Sequence, residues 1–422
     1  MEENKKKKIS ALTAVFMLGI SITAFIVFEV PKLMEKEAII IIDQIGRPVN
    51  TLNDLENGTI WVEQINFVLE PTLENEMAGD KGNIYAPDIL FEDGVYHLWY
   101  GGQSRSGHDS ILYATSADGV RWTKYGTVIP TGTNNHVNDP SVVKVNGTYY
   151  MYYTVAPIRE MDEICLATSK DRVNWDIIGP VVLPDSDVEK WDSLKVGRPS
   201  VIYEGGLFKM WFDGIQRDLN DAYAPKPGTG RHVGYAYSTN GINWTKWPSN
   251  PVFLHTGAID VEFFDGKYVV VEESGAGVYY RFGTNETEFE QSNRQLFVKM
   301  GNDMDRFGHV TPFIFIKDGK WVATYTGAAT KSTWDRNRIA VWYPQINGTS
   351  KTQNITGASM TLRPWANSLN QAIFNFTTRA SVEYTLSVSN ASTIISTSTE
   401  TIRQGTVRYY FNQYNKTLIK IG

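Results

Sequence analysis

The chain has 422 residues, 42% hydrophobic and 13% aromatic, which is ample for a sizeable core and suggests more than one domain. A formal net charge of −6 excludes the broad basic footprint of a nucleic-acid binder. The single cysteine, Cys165, excludes an intrachain disulfide and reads as a small apolar core residue, not a reactive thiol.

Lys5 to Lys8 precede an uncharged run, Ile9 to Phe28, long enough to span a bilayer. The lysines predict a cytoplasmic N-terminus and an extracytoplasmic remainder. No small-x-small cleavage site follows before Glu29 and Pro31, so residues 1–30 read as an uncleaved signal anchor, with a cleaved signal peptide as the competing reading. Nine Asn-x-Ser/Thr sequons, at Asn57, Asn146, Asn243, Asn285, Asn347, Asn354, Asn375, Asn390 and Asn415, exceed what composition alone supplies and predict an exported glycoprotein. Residues 31–58 read as a stalk or packed lead-in.

A strand is predicted at 59–70, and a repeat follows it. Residues 85–102, from Tyr85-Ala-Pro-Asp-Ile to Leu-Trp-Tyr-Gly-Gly102, give an apolar strand, an Asp93-Gly94 turn and an aromatic strand. Ile111 to Trp122 adds a third strand, a second Asp-Gly turn and the start of a fourth. Copies run from Asn138 to Trp175 and from Gly197 to Trp244. Weaker copies begin at Ile259 and Thr311. The turn glycines stand at 94, 147, 206, 266 and 319, spaced by 53, 59, 60 and 53. Four-stranded repeats of this length predict a five-bladed β-propeller at 59–347 in an all-β chain. The fifth copy is one strand short, so the 59–70 strand is expected to complete it. From 350 to 422 the chain turns Ser/Thr-rich with period-two alternation, as at Ala380–Val388, which predicts a small β-sandwich-like domain with no catalytic role.

In a propeller the first strand of each blade starts beside the axis, and the loop after the second strand returns to the same opening. The strand starts carry Pro87-Asp88, Asp139-Pro140, Arg198-Pro199, Ile259-Asp260 and Thr311-Pro312, with His309 just before the last. The returning loops carry Arg105, His108, Asp213, Glu272, Glu273 and Trp334, and the long loop from Asp213 to His232 could act as a lid. Carboxylates beside aromatic platforms suit sugars. Blander roles compete: Asp88 and Asp139 as acceptors of backbone N–H groups, Arg198 as their counter-ion, His309 as a satisfied buried histidine.

The motifs Tyr85-Ala-Pro-Asp-Ile and Asn138-Asp-Pro-Ser-Val, each followed by an aromatic strand, together with Ser-x-Asp-Gly-x-x-Trp at 116–122, resemble the five-bladed-propeller glycosidases of glycoside hydrolase families 43, 32, 62, 117 and 130. The resemblance covers roughly residues 60–345. It implies an early-blade Asp as general base, a second Asp that tunes and orients, and a Glu opening the third blade as general acid. Asp139 and Asp88 match the two Asp types in reversed order, and Arg198 stands where the acid is expected. Asp88 and Asp139 are therefore expected as the paired carboxylates, with Glu262 or Glu272 as acid and Asp260 as a further candidate. Arg198, Asp260, His309, Trp334, Arg105, His108 and Asp213 are expected to bind substrate. The expected function is a membrane-anchored extracytoplasmic glycoside hydrolase acting on an oligo- or polysaccharide, without a cofactor or catalytic metal but with room for a structural cation in the channel. The expected partners are a carbohydrate and, through residues 9–28, the membrane. A non-catalytic glycan-binding or cell-envelope propeller is the alternative, and a phosphorylase, in which Arg198 and His309 would hold an anion, a third.

Overall fold

A computed structural model describes residues 60–72, 82–104, 107–158, 161–289, 294–300, 305–329 and 337–346, with isolated strands on either side. The described residues form strands, turns and loops and include no helix. The chain divides into two units, Val62–Pro344 and a second made of Met1–Trp61 with Gln345–Gly422. In the second unit β1 (Ala14–Val15) and β2 (Phe25–Glu29) are assigned inside the expected anchor, whose other residues lie outside the described ones. Among the described residues no helix is long and apolar enough to cross a membrane.

The first unit is built from four-stranded antiparallel groups. After β3 (Ile60–Leu69), the first group is β4 (Asn83–Glu92), β5 (Val95–Gln103), β6 (Asp109–Ser116) and β7 (Thr123–Ile129). The second is β8 (His136–Val145), β9 (Thr148–Ala156), β10 (Glu163–Ser169) and β11 (Trp175–Val182). The third is β12 (Lys195–Glu204), β13 (Leu207–Ile215), β14 (Arg231–Ser238) and β15 (Thr245–Lys246). The fourth is β16 (Ile259–Phe264), β17 (Lys267–Ser274), β18 (Gly277–Gly283) and β19 (Gln295–Lys299). The last is β20 (Gly308–Lys317), β21 (Lys320–Ala329) and β22 (Arg338–Ile346), with β3 on its outer edge. The fourth strand of this group thus comes from before the first. The inner strands β4, β8, β12, β16 and β20 touch in a closed cycle. The second unit carries β23 (Thr352–Ile355) to β29 (Thr417–Lys420), all strands.

Local chemistry explains the repeat. Asp93, Asn146, Asp265 and Asp318 hold positive φ before a glycine that does the same, the backbone of a two-residue hairpin turn. The Ser-x-Asp-Gly-x-x-Trp element is a capped turn. Ser116 Oγ accepts the Gly119 N–H and Asp118 Oδ1 accepts those of Val120 and Arg121. Ser169 with Asp171, and Ser238 with Asn240, repeat the arrangement. The carbonyl of the turn's fourth residue then receives an aromatic donor from the preceding group. Trp99 Nε1 donates to Arg172 O, Tyr152 Oη to Gly241 O, Trp211 Nε1 to Glu286 O and Tyr325 Oη to Gly119 O. Between the groups lie apolar clusters such as Trp99, Tyr113, Met151 and Tyr153, or Tyr152, Phe208, Met210 and Phe212. Most of the Trp and Tyr content is therefore packing between groups.

Candidate active site

Four of the five inner strands carry the same irregularity near their starts, and β16 pairs with β17 without one. The register slips between Tyr85 and Asp88, Asn138 and Ser141, Gly197 and Ser200, and Val310 and Phe313, so two residues face one on the next strand. The first of each pair precedes a proline and has positive φ: Ala86 (49°), Asp139 (52°), Arg198 (47°) and Thr311 (49°). That region is unfavourable for residues with a Cβ, and for β-branched threonine most of all. The bulges re-aim the side chains and sort the strand starts into two layers.

The lower layer joins neighbouring groups around the axis. Asp88 Oδ2 accepts the Val142 N–H at 3.2 Å. Ser141 Oγ accepts Val201 N–H and Ser200 Oγ accepts Val261 N–H, each at 2.9 Å. Asp260 takes Ile314 N–H on Oδ2 at 2.7 Å and the Ser200 hydroxyl on Oδ1 at 2.7 Å. Phe313 holds the equivalent place in the last group. Burial raises the Asp88 carboxyl well above the usual range, with Asp260 adding to it, and raises Asp260 to about 6. Glu262 is raised by desolvation and by Asp260 and Asp88. Asp88 and Asp139 share one narrow cavity, and of the two Asp139 also lines the wider one. Asp88 and Asp260 line only a narrow axial cavity of about 30 Å³, shared with Asp139 and Arg198.

The upper layer opens into a cavity of about 240 Å³ walled by Tyr85, Asp109, His136, Asn138, Asp139, Asp162, Lys195, Arg198, Asp213 and Arg231. Arg198 bridges two groups. Its Nη1 lies 3.1 Å from Glu273 Oε1 and its Nε 3.7 Å from Asp213 Oδ2, an oxygen that also takes Arg231. Gly257 makes room for the pair, since a Cβ there would stand 3.2 Å from Arg231 Cδ and 3.3 Å from Arg198 Nη1. Burial would discharge Arg198, but Asp213, Glu273 and Asp139 outweigh it and raise its pKa. Asp139 is buried and hydrogen-bonded to Thr154. Desolvation pushes its carboxyl up to about 6, with Arg198 pulling it down and Asp213 and Asp109 pushing it up.

The opposite wall is centred on Asp109. Its Oδ2 accepts Tyr85 Oη at 2.5 Å and Asn138 Nδ2 at 3.1 Å, and lies 2.9 Å from His136 Nδ1. The bond to Asp109 raises the His136 pKa, against burial. Lys195 Nζ stands 3.4 Å from Asp162 Oδ2.

Of the expected residues, the cavity gathers Asp139, Arg198 and Asp213. Glu272 is displaced by the strand's alternation. It is buried within the fourth group, 2.9 Å from Arg281 Nη2 and paired with Arg294, while its neighbour Glu273 faces Arg198. His309 is fully buried, 3.0 Å from Asp305 Oδ2 and edge-on to Trp342, so it does not line the cavity. His108 is exposed and bonds Asn135 O at 2.8 Å. Arg105 and Trp334 lie outside the described residues. Tyr85, Asp109, His136, Asp162, Lys195 and Arg231 were not singled out as site residues from sequence. Tyr85 and Asn138 each stand one residue before a bulge, a signal the repeat alignment carries.

The family model for the glycosyl hydrolases family 32 N-terminal domain matches residues 131–311, the stretch that supplies Asp139, Arg198 and Asp213. A 1,2-beta-oligomannan phosphorylase of Thermoanaerobacter sp. (strain X514) is 28% identical over 174 residues, 38% of this chain and 57% of that one. An arabinan endo-1,5-alpha-L-arabinosidase A of Aspergillus niger is 29% identical over 136 residues, 30% of this chain and 40% of that one. The chain thus spans about half the length of these curated relatives. In structure it is similar to Zg3597, a family 117 glycoside hydrolase of Zobellia galactanivorans, with a TM-score of 0.53 at 17% identity over 68% of this chain and 90% of that one. Repeat, fold and family model agree: the chain is similar to the propeller-type glycoside hydrolases.

Proposed function

We propose that the chain is a glycoside hydrolase whose centre is the 240 Å³ cavity of a five-bladed propeller. One observation carries this reading. Asp139 is a buried carboxyl on the cavity wall, raised to about 6, beside a second carboxylate, Asp213, that is bound by two arginines. Two carboxyls in such different surroundings divide into an acid and a base. Asp139 carries the proton and gives it to the glycosidic oxygen as the anomeric C–O bond breaks. Arg198 and Arg231 both engage Asp213 Oδ2, which leaves Oδ1 to take a proton from the attacking water. The water oxygen bonds the anomeric carbon, so one sugar hydroxyl is gained on each side of the broken bond. Asp88 and Asp260 hold the blades together beneath this site.

Further support concerns the setting. Lys5 to Lys8 before the uncharged Ile9 to Phe28, and sequons such as exposed Asn146 and Asn243, favour an anchored, extracytoplasmic glycoprotein. In this reading residues 31–58 are a stalk, 59–347 the propeller and 350–422 a supporting β domain.

The function is tested by screening purified wild type against a broad glycan panel for released reducing ends, followed by Asp139→Asn. Cleavage abolished by a variant that melts like wild type supports the reading. Undiminished cleavage by the variant, or a wild type that binds glycans without cutting any, contradicts it.

A further inference from the structure

We propose that the cavity is a pocket for one neutral sugar at the end of a glycan, with the scissile bond at its mouth and the next residue resting on an apolar rim. The enzyme is then exo-acting, and its acceptor is water, not phosphate. This rests on the hydrolase reading and adds the substrate class.

Size is the first argument. A cavity of about 240 Å³ is scaled to one sugar ring with its hydroxyls. It falls below the ~300–1,000 Å³ of pockets that enclose drug-sized ligands, so a second ring lies outside.

Charge is the second. Among the described residues, each cation lining the cavity has a carboxylate partner. Lys195 faces Asp162, Arg231 faces Asp213, His136 faces Asp109, and Arg198 lies between Asp213 and Glu273. Asp139 is one acid more. A phosphate or a uronate would bring a further negative charge among these carboxylates, and could claim an arginine only by uncovering a buried acid. Sugar hydroxyls do neither, because they donate to carboxylates and accept from guanidinium N–H groups.

The rim is the third. Ile158, Leu219, Tyr223, Leu254 and Phe307 are exposed large apolar residues. Each stands near residues of the cavity wall in sequence. Ile158 follows Ala156, Phe307 precedes Val310, and Leu219 and Tyr223 stand between Asp213 and Arg231. Leu254 precedes Gly257, which packs on Arg198 and Arg231. Exposed apolar groups around a polar pocket provide a surface for the C–H faces of the following sugar.

The test is digestion of a neutral oligosaccharide ladder, labelled at the reducing end, with product sizing over time. Exo action shortens the ladder one residue at a time, with free monosaccharide as the small product and a rate unchanged by added inorganic phosphate. The Tyr223→Ala, Leu254→Ala double variant should raise KM on the ladder several-fold with kcat little changed, and an unchanged KM overturns the rim. Early release of di- or trisaccharides overturns the one-sugar pocket while leaving hydrolysis intact. Sugar phosphate made only when phosphate is present overturns the water assignment. In parallel, thermal shift with D-glucose, D-galactose, D-mannose, L-arabinose and L-fucose is compared with D-glucuronate and inorganic phosphate. A shift for at least one neutral sugar and none for the anions is expected, whether or not a cleaved glycan has been found. A larger shift for either anion, or a flat response to every neutral sugar, overturns the proposal.

Discussion

Asp109 and His136 are joined twice. Their backbones form the single bridge that links the first and second strand groups among the described residues, and their side chains meet at 2.9 Å on the cavity wall. The Asp109 oxygen involved also holds Tyr85 and Asn138, so one carboxylate fixes three side chains drawn from two groups. Asp109→Asn should lower the His136 pKa toward or below its ordinary value, read from imidazole proton shifts against pH. The loss of charged hydrogen bonds should cost ~2 kcal/mol in denaturant unfolding. An unchanged His136 titration contradicts this account of the wall.

Asp88 should behave as a strand-start acceptor. Asp88→Asn keeps an oxygen for the Val142 N–H and removes a carboxyl that burial disfavours as an anion. Wild-type turnover and an unchanged or higher melting temperature are expected. Asp88→Ala leaves that N–H buried without a partner and should cost ~1–3 kcal/mol. Selective loss of turnover in the Asn variant would return Asp88 to the mechanism.

Arg198 should be needed for both fold and site. Arg198→Met leaves Glu273 without its cation and Asp213 with Arg231 alone. Breaking such a pair costs ~3 kcal/mol, the low end of the buried range because the Glu273 side chain remains partly exposed. Urea unfolding measures this, and a variant as stable as wild type contradicts the bridge.

Asp260 gives a pH signature. Its carboxyl is raised from 3.8 to about 6 in the folded chain, chiefly by burial. The native state therefore keeps a proton that the unfolded chain releases, and this contribution to stability is lost as pH rises from about 4 to about 6. Asp260→Asn should flatten the decline in unfolding free energy across that window. An identical pH slope in both proteins contradicts the assignment.

Much of the fold was legible because the repeat is written in turn chemistry. The Asp-Gly and Asn-Gly pairs and the capped Ser-x-Asp turns depend on neighbours in sequence. The site was legible in part. Counted back from the turn glycines, Asp139 and Arg198 stand eight residues upstream, and Asp88 and Asp260 six. Simple strand alternation puts positions six and eight on one face, and so pairs Asp88 with Asp139. The bulge at position eight re-aims Asp139 so that it also lines the wider cavity, and its positive φ follows from the assembled sheet and not from local preference. Asp109 and His136 escaped notice because they open a third and a first strand, where the repeat gives no reason to look. Glu272 and Glu273 differ by one place on a strand, so choosing between them needed the register.

The central claim, that Asp139 supplies the proton for glycosidic cleavage, is tested most directly by leaving-group dependence in Asp139→Asn. The measurement is kcat/KM of wild type and variant on glycosides of the sugar that wild type releases, one with a poor alkyl leaving group and one with dinitrophenolate. A general acid contributes ~10²–10⁴-fold where the leaving oxygen needs protonation. The account predicts a loss of that size on the alkyl glycoside and a far smaller one on the dinitrophenyl glycoside. Equal losses on both substrates, or no loss on either, contradict it.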